Sequence, residues 1–185
     1  MNHLATSKED ILAASRDLIK ENGWAAVSIR AVASRCSVSA GTIYNYYESK
    51  ADLLSDTIES IWHEIFFHPE DEQVFHDVES CISWIYERLE YGNSQFPGFF
   101  SLHSFGFMRD EKTSGKKRMM KTWGHILNGL CEVLGSDPKV RSDVFDQEFT
   151  EKKFADILFS LILVSMIRQD YDPSSVLMLV KKTLY

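Results

Sequence analysis

The chain has 185 residues, a formal charge of −7, 44% apolar residues and 25% charged ones. That balance belongs to a folded protein and excludes extended disorder, which needs few apolar residues at high charge. Four prolines and nine glycines exclude collagen-like and linker-like chains and leave room for long helices.

Ser7 is placed to cap a first helix, with Asp10 three residues on to reach back. Ile11, Leu12, Ala14, Leu18 and Ile19 recur at helical spacing. Asn22-Gly23 ends the run, because glycine accepts a left-handed backbone. A second helix starts at Ser28, with Ile29, Val32 and Ala33 facing inward, and stops near Arg35-Cys36. Ser37 and Val38 separate it from a third start at Ser39, followed by Ala40-Gly41-Thr42-Ile43-Tyr44-Asn45-Tyr46-Tyr47. Ser49 caps a fourth helix, which carries Leu53, Leu54, Ile58, Ile61, Trp62, Ile65 and Phe66. Further helices are expected at about 73–91, 97–108, 116–134, 138–146, 150–169 and 173–184. Pro138 and Pro173 sit at first-turn positions after Asp137 and Asp172 as caps, and Gly92 and Gly135 sit where helix stops are expected. No strand-period run of useful length occurs. The chain reads as all-α, with about nine to ten helices and a division into residues 1–50 and 51–185.

The first ten residues lack the apolar stretch of a secretory signal and turn charged at Lys8. The uncharged part of the most apolar run, 157–167, has 11 residues, against roughly 20 needed to span a bilayer. No membrane association is expected. The three cysteines, Cys36, Cys81 and Cys131, are odd in number and widely spaced, which disfavours a disulfide framework and suits a cytoplasmic location.

Two short helices, 28–35 and 39–46, joined by Cys36-Ser37-Val38, have the layout of a helix-turn-helix. In that motif the first helix braces on the DNA backbone and the second lies in the major groove. Short helix pairs with tight turns also occur in proteins that never touch DNA, so the residue chemistry has to decide. Ser39, Ala40, Gly41 and Thr42 are small, which lets the helix enter a groove about 12 Å wide. Tyr44 and Tyr46 carry hydroxyls that donate to phosphates, and Lys50 follows within reach of the same strand.

Residues 28–54 resemble the DNA-binding segment of TetR-family transcriptional regulators. The matching features are Ser28, Ile29, Val32-Ala33, Val38, Gly41-Thr42-Ile43-Tyr44, Tyr47, Lys50 and Leu53-Leu54, with Gly23-Trp24 before them. The likeness covers about residues 8–60. One departure is Ser37, where the family usually has glycine, and a second is Cys36, where it often has alanine. The resemblance implies that Ser28, Tyr44 and Lys50 hold phosphates. It implies that Ser39, Ala40, Thr42 and Asn45 face base edges, with Gly41 permitting close approach. Arg30 would contact phosphate or a nearby base, and Tyr46 another phosphate or sugar. Val38, Ile43 and Tyr47 are read as core.

The resemblance further implies an effector-binding and dimerisation domain after the reader, a palindromic operator and repression relieved by a small molecule. Phe154, Ile157, Leu158, Leu161, Ile162 and Ser165 line one helix side, and Val176, Leu177, Leu179, Val180 and Leu184 line another. These two C-terminal helices are the expected homodimer seam. The aromatic residues Trp62, Phe66, Trp84, Phe99, Phe100 and Trp123 are candidates to line a pocket for an apolar or aromatic effector, with Tyr91, Phe96, Phe105 and Phe107 nearby in the chain. The fourth helix, 49–67, joins the two halves and is the expected lever.

Catalysis is not expected, and neither is a cofactor or a metal. His63 and His68 are five residues apart instead of the four that put two imidazoles on one helix face. No nucleophile elbow or phosphate-binding loop occurs. Lys116-Lys117-Arg118 with Lys121 reads as a solvated helix face. The alternative is a helical interaction adaptor, or a regulator without a small-molecule ligand. The acidic total argues against DNA until it is divided. Residues 1–55 hold six basic and six acidic side chains, and 56–185 hold 14 and 21. Residues 28–50 alone sum to +2, from Arg30, Arg35 and Lys50 against Glu48.

Overall fold

The computed structural model describes residues 6–66, 75–100 and 114–185, with the backbone alone for 114–122. Among these residues the chain is helical, without strands. The expected segment 97–108 is described only to Phe100, with Phe99 and Phe100 helical, and Phe105, Phe107 and His68 lie outside the described residues. No helix among the described residues is long and apolar enough to cross a membrane. The chain divides into two compact units, Met1–Phe67 with Gln95–Pro97, and His68–Ser94 with Gly98–Tyr185.

In the first unit α1 spans Lys8–Asn22, α2 Ile29–Arg35, α3 Ala40–Tyr44 and α4 Lys50–Phe66, with a 3-10 turn at Trp24–Ala26. Each start has the hydroxyl expected of it. Ser7 Oγ accepts from Asp10 N at 3.1 Å while Asp10 Oδ2 accepts from Ser7 N at 2.9 Å, a reciprocal capping box. Ser28, Ser39 and Ser49 accept from the amides three residues on, at 3.1, 3.2 and 3.2 Å. Gly23, at φ +76°, closes α1 through a 2.8 Å bond to the Ile19 carbonyl. The core of the unit is Ile11, Ile19, Val27, Val32, Ile43, Leu53, Ile61 and Ile65, all essentially inaccessible. Deleting one such side chain to alanine costs about 2–5 kcal/mol. Three ion pairs join α1 to α4: Lys8 to Asp56 at 2.6 Å, Arg16 to Glu64 at 2.7 Å and Lys20 to Glu64 at 2.6 Å.

The second unit contains α5 (Val78–Gln95), α6 (Ser114–Ser136), α7 (Glu151–Arg168) and α8 (Ser174–Leu184). Two expected stops are corrected: Gly92 is buried inside α5, and Gly135 lies inside α6. Neither glycine adopts the left-handed backbone of a helix cap. The expected helix at 138–146 is also absent, since this segment is a chain of turns and bends. Asp137 does not act as a helix cap because its oxygens are engaged elsewhere. Oδ2 accepts from Val78 N at 2.9 Å and from the Tyr185 hydroxyl at 2.6 Å, and Oδ1 accepts from Lys139 N at 2.8 Å. Arg141 N then donates to the Leu184 carbonyl at 2.9 Å, a long-range bond in place of a helical one. Downstream, Phe145, Phe149 and Phe154 cluster with ring centres 5.6 to 6.4 Å apart.

The apolar side of α7 divides in two. Phe154, Leu158, Ile162 and Met166 are buried, while Ile157, Val164 and Ile167 are exposed. On α8, Val176, Val180 and Leu184 are buried, and Met178 and Leu179 are exposed.

Candidate nucleic-acid interface

The helix-turn-helix is built from α2 and α3, which pack on each other and, through α2, on α1. The turn between them carries the departure seen in the sequence. Ser37 sits at φ +56°, the left-handed backbone that glycine adopts without strain. Its amide donates to the Ser34 carbonyl at 3.1 Å, and Val38 N donates to the Ala33 carbonyl at 2.9 Å. This double closure is the Schellman arrangement, and its two bonds hold a serine where the backbone prefers glycine. Val38 and Ala33, the pair that usually touch in this arrangement, supply apolar surface: Ala33 is buried and Val38 half-buried. Ile43 and Tyr47 are buried, as core residues should be.

The outward residues form one stretch of surface. Arg30, Ser39, Gly41, Tyr44, Asn45 and Lys50 are exposed, and Ser28, Ala40, Thr42 and Tyr46 are half-exposed. Tyr44 stands out at 56% exposure for a large aromatic side chain. The Ser28 oxygen accepts from the Ala31 amide, which leaves its hydroxyl proton to donate outward. Ser39 and Thr42 hydroxyls lie 3.0 Å apart, so these two groups bond each other as well as capping α3. The Tyr46 hydroxyl donates to the Thr6 carbonyl at 2.6 Å.

The electrostatics revise the simple charge sum. Arg35 counts in the +2 of residues 28–50, yet its guanidinium forms a fork with the Glu21 carboxylate, one arm at 2.6 Å, and lies 3.7 Å from Asp17. The hydrogen bonds from Arg35 hold the Glu21 carboxyl below its ordinary range. Among the described residues no ion pair engages Arg30 or Lys50, so these are the cations of the surface available to a polyanion. A recess of about 360 Å³ beside Arg35 is lined by Thr6, Asp10, Asp17 and Cys36. Two carboxylates at its wall make it hostile to phosphate. Burial pushes the Cys36 thiol up, which keeps it protonated and unreactive. The sequence showed Glu21 and Asp17 one turn apart on α1, but not that Arg35, fourteen residues after Glu21, would be their partner.

The expected effector residues fall in both units. Trp62 and Phe66 are buried on α4 and stack at 5.6 Å. In the second unit Trp84 packs on Phe75 at 5.3 Å, Phe99 on Phe100 at 5.3 Å, and Trp123 on Phe159 at 5.7 Å. Phe99 and Phe100 are buried, with Phe100 6.3 Å from Tyr171. Trp123 Nε1 and the Tyr171 hydroxyl are buried without a hydrogen-bond partner among the described residues.

Residues 11–57 match the family model of bacterial regulatory proteins, tetR family. The HTH-type transcriptional regulator UidR of Escherichia coli K12 is 38% identical over 48 residues, which are 26% of this chain and 24% of that protein. The match thus spans about a quarter of the length of that relative. A TetR transcription regulator from Haloarcula marismortui superposes with a TM-score of 0.70 at 17% identity, covering 96% of this chain and 98% of that one. The regulator FadR from Bacillus subtilis, in complex with stearoyl-CoA, superposes with a TM-score of 0.59 at 15% identity, covering 95% and 94%. Residues 11–57 thus carry a capped helix-turn-helix similar to that of the tetR family of bacterial regulatory proteins, and the described helical fold is one that solved TetR regulators share.

Proposed function

We propose that the chain is a cytoplasmic transcriptional repressor, not an enzyme, that binds a palindromic operator as a homodimer and is released by a small apolar or aromatic effector. The observation that carries the reading is the surface of α2, α3 and the start of α4, where small and polar groups stand outward with Arg30 and Lys50, which no ion pair engages among the described residues. Ser28, Tyr44 and Lys50 would hold phosphates, with Arg30 on phosphate or a nearby base. Ser39, Ala40, Thr42 and Asn45 would face base edges, with Gly41 allowing close approach.

Homodimerisation is supported by the apolar residues left outside on the last two helices. Ile157, Val164 and Ile167 on α7 and Met178 and Leu179 on α8 are exposed in the single chain. A helix apolar on nearly every side is expected to be covered on every side. A two-fold dimer would also supply the two reading heads that half-sites one DNA turn apart require.

An effector is supported by Trp123 Nε1 and the Tyr171 hydroxyl, both buried without a hydrogen-bond partner among the described residues. A bound acceptor atom would satisfy either group, since a buried polar group without a partner is costly. The similarly folded FadR, which holds stearoyl-CoA, favours an apolar ligand. Trp84, Phe99, Phe100 and Trp123, all in the second unit, remain its candidate contacts there. Within the first unit, α4 is tied to α1 by three ion pairs, so displacement of α4 would carry α1 with it.

A gel shift with the DNA upstream of the gene tests the reading. Retardation that survives competitor DNA, and that is lost in a folded Lys50→Ala variant, is the expected result. No retardation of any DNA by wild-type protein would overturn it in favour of a helical interaction adaptor.

A further inference from the structure

We propose that Tyr46 is a positioning residue for operator binding, acting through a tie to the start of α1 and not through a DNA phosphate. The proposal rests on the DNA-binding reading above. The Tyr46 hydroxyl donates at 2.6 Å to the carbonyl of Thr6, forty residues earlier in the chain, and the ring is half-buried. A phenol has one proton, and phosphate oxygens at neutral pH only accept. A phosphate contact from Tyr46 would therefore cost the bond to Thr6. Tyr44, two residues earlier and 56% exposed, makes no such bond among the described residues.

The tie belongs to a group of contacts joining the same two places. Lys8 Nζ lies 2.6 Å from Asp56 and 5.6 Å from the centre of the Tyr47 ring. Residues 6–8 are thus fastened to both residues that follow Asn45 and to the next helix. The need for fastening follows from length. α3 has five residues, far below the roughly 12–15 at which an isolated helix becomes marginally stable. Its leading end is held by the Ser39 cap and the closed turn after α2. Its trailing end has no helical continuation, because Asn45 closes it. Burial of Ile43 and Tyr47 keeps the segment down on the core, but apolar burial is non-directional. The bond from Tyr46 supplies direction. It fixes the rotation of the face that carries Ser39, Gly41, Thr42 and Asn45.

The test compares Tyr46→Phe with Tyr44→Phe in the full-length chain. Hydrogen exchange of the DNA-free protein is followed along the chain, and affinity for operator and for random DNA by fluorescence anisotropy. Tyr46→Phe is expected to speed exchange at residues 43–47 and to weaken operator binding about two- to tenfold, the equivalent of one hydrogen bond, with random-DNA binding unchanged. Tyr44→Phe is expected to weaken binding while leaving exchange as it was. Weakened binding by Tyr46→Phe with unaltered exchange would make Tyr46 a direct DNA contact and overturn the proposal. Unaltered binding would overturn it too, and so would exchange that rises evenly over the whole chain, which marks general loss of stability. Failure of the wild-type protein to bind any DNA would sink the underlying reading, and it would be seen before any variant is measured.

Discussion

Gly41 separates folding from recognition at a single position. A Cβ built there meets only the Ser39 Oγ, at 3.5 Å, an ordinary contact, and the backbone is not left-handed. Nothing within the protein requires glycine, and alanine in a helix interior is favoured by about 1 kcal/mol. Gly41→Ala is expected to raise the thermal midpoint of unfolding and yet weaken operator binding several-fold, because the methyl group would meet the DNA. Calorimetry and anisotropy on one preparation check both halves, and full affinity in a stabilised variant would remove Gly41 from the interface. Much at this scale was legible in the sequence. The four serine caps are local devices, each contained within three or four residues, and all four formed. So was the strain at Ser37, since the turn needs a left-handed residue whatever stands there. The pairing of Arg35 with Glu21 and of Tyr46 with Thr6 was not legible, because both join residues that only the fold brings together.

At the scale of elements, local signals misled where tertiary bonds compete. Asp137-Pro138 has the form of a helix start, but Val78, Lys139 and Tyr185 take the Asp137 carboxylate, and 138–146 becomes a strap. The same strap explains an acid-sensitive contact. Asp77 caps α5 by accepting from Ser80 N at 2.7 Å, and it pairs with Lys139 at 2.8 Å. The Lys139 ammonium, with the Ser80 amide, holds the Asp77 carboxyl down to about 2. Because the folded value lies below the ordinary one, the contribution is complete above about pH 4 and is lost as pH falls toward 2. Asp77→Asn should lower the urea midpoint at neutral pH and converge with wild type near pH 2, as read by urea titrations across that range. A constant difference at every pH would deny the charged pairing its role. Periodicity likewise found the apolar residues of α7 without dividing them, since a helix apolar on most sides carries little information about which side faces in. The structure puts Phe154, Leu158 and Ile162 inward and Ile157 outward.

For the molecule as a whole, that outward side is the feature a single chain leaves unexplained. Val164 is 40% exposed, midway along the exposed apolar residues of α7. Val164→Glu places a charge in the proposed seam. Sedimentation equilibrium should show a dimer for wild type and a shift toward monomer for the variant, with operator affinity falling steeply because one reading head alone remains. A variant that stays dimeric would move the seam elsewhere. Charge has its place at this scale too. The −7 belongs to residues 56–185, while 1–55 sum to zero. With Arg35 paired to Glu21, Arg30 on α2 and Lys50 at the start of α4 are the cations of this surface that no ion pair engages among the described residues. Nonspecific affinity should therefore be weak, and pairing of two readers should matter more than net charge.

The central claim is that this surface meets DNA phosphates through those cations, and the dependence of operator affinity on salt tests it most directly. Each phosphate neutralised by a cation steepens the fall of log affinity with log salt by about one. The wild-type protein should show a steep fall. Lys50→Ala, counted once per half-site, should reduce that slope by about 2, whereas Tyr44→Phe should weaken binding at the wild-type slope. A flat salt response in the wild type, or a Lys50→Ala slope indistinguishable from it, would contradict the account.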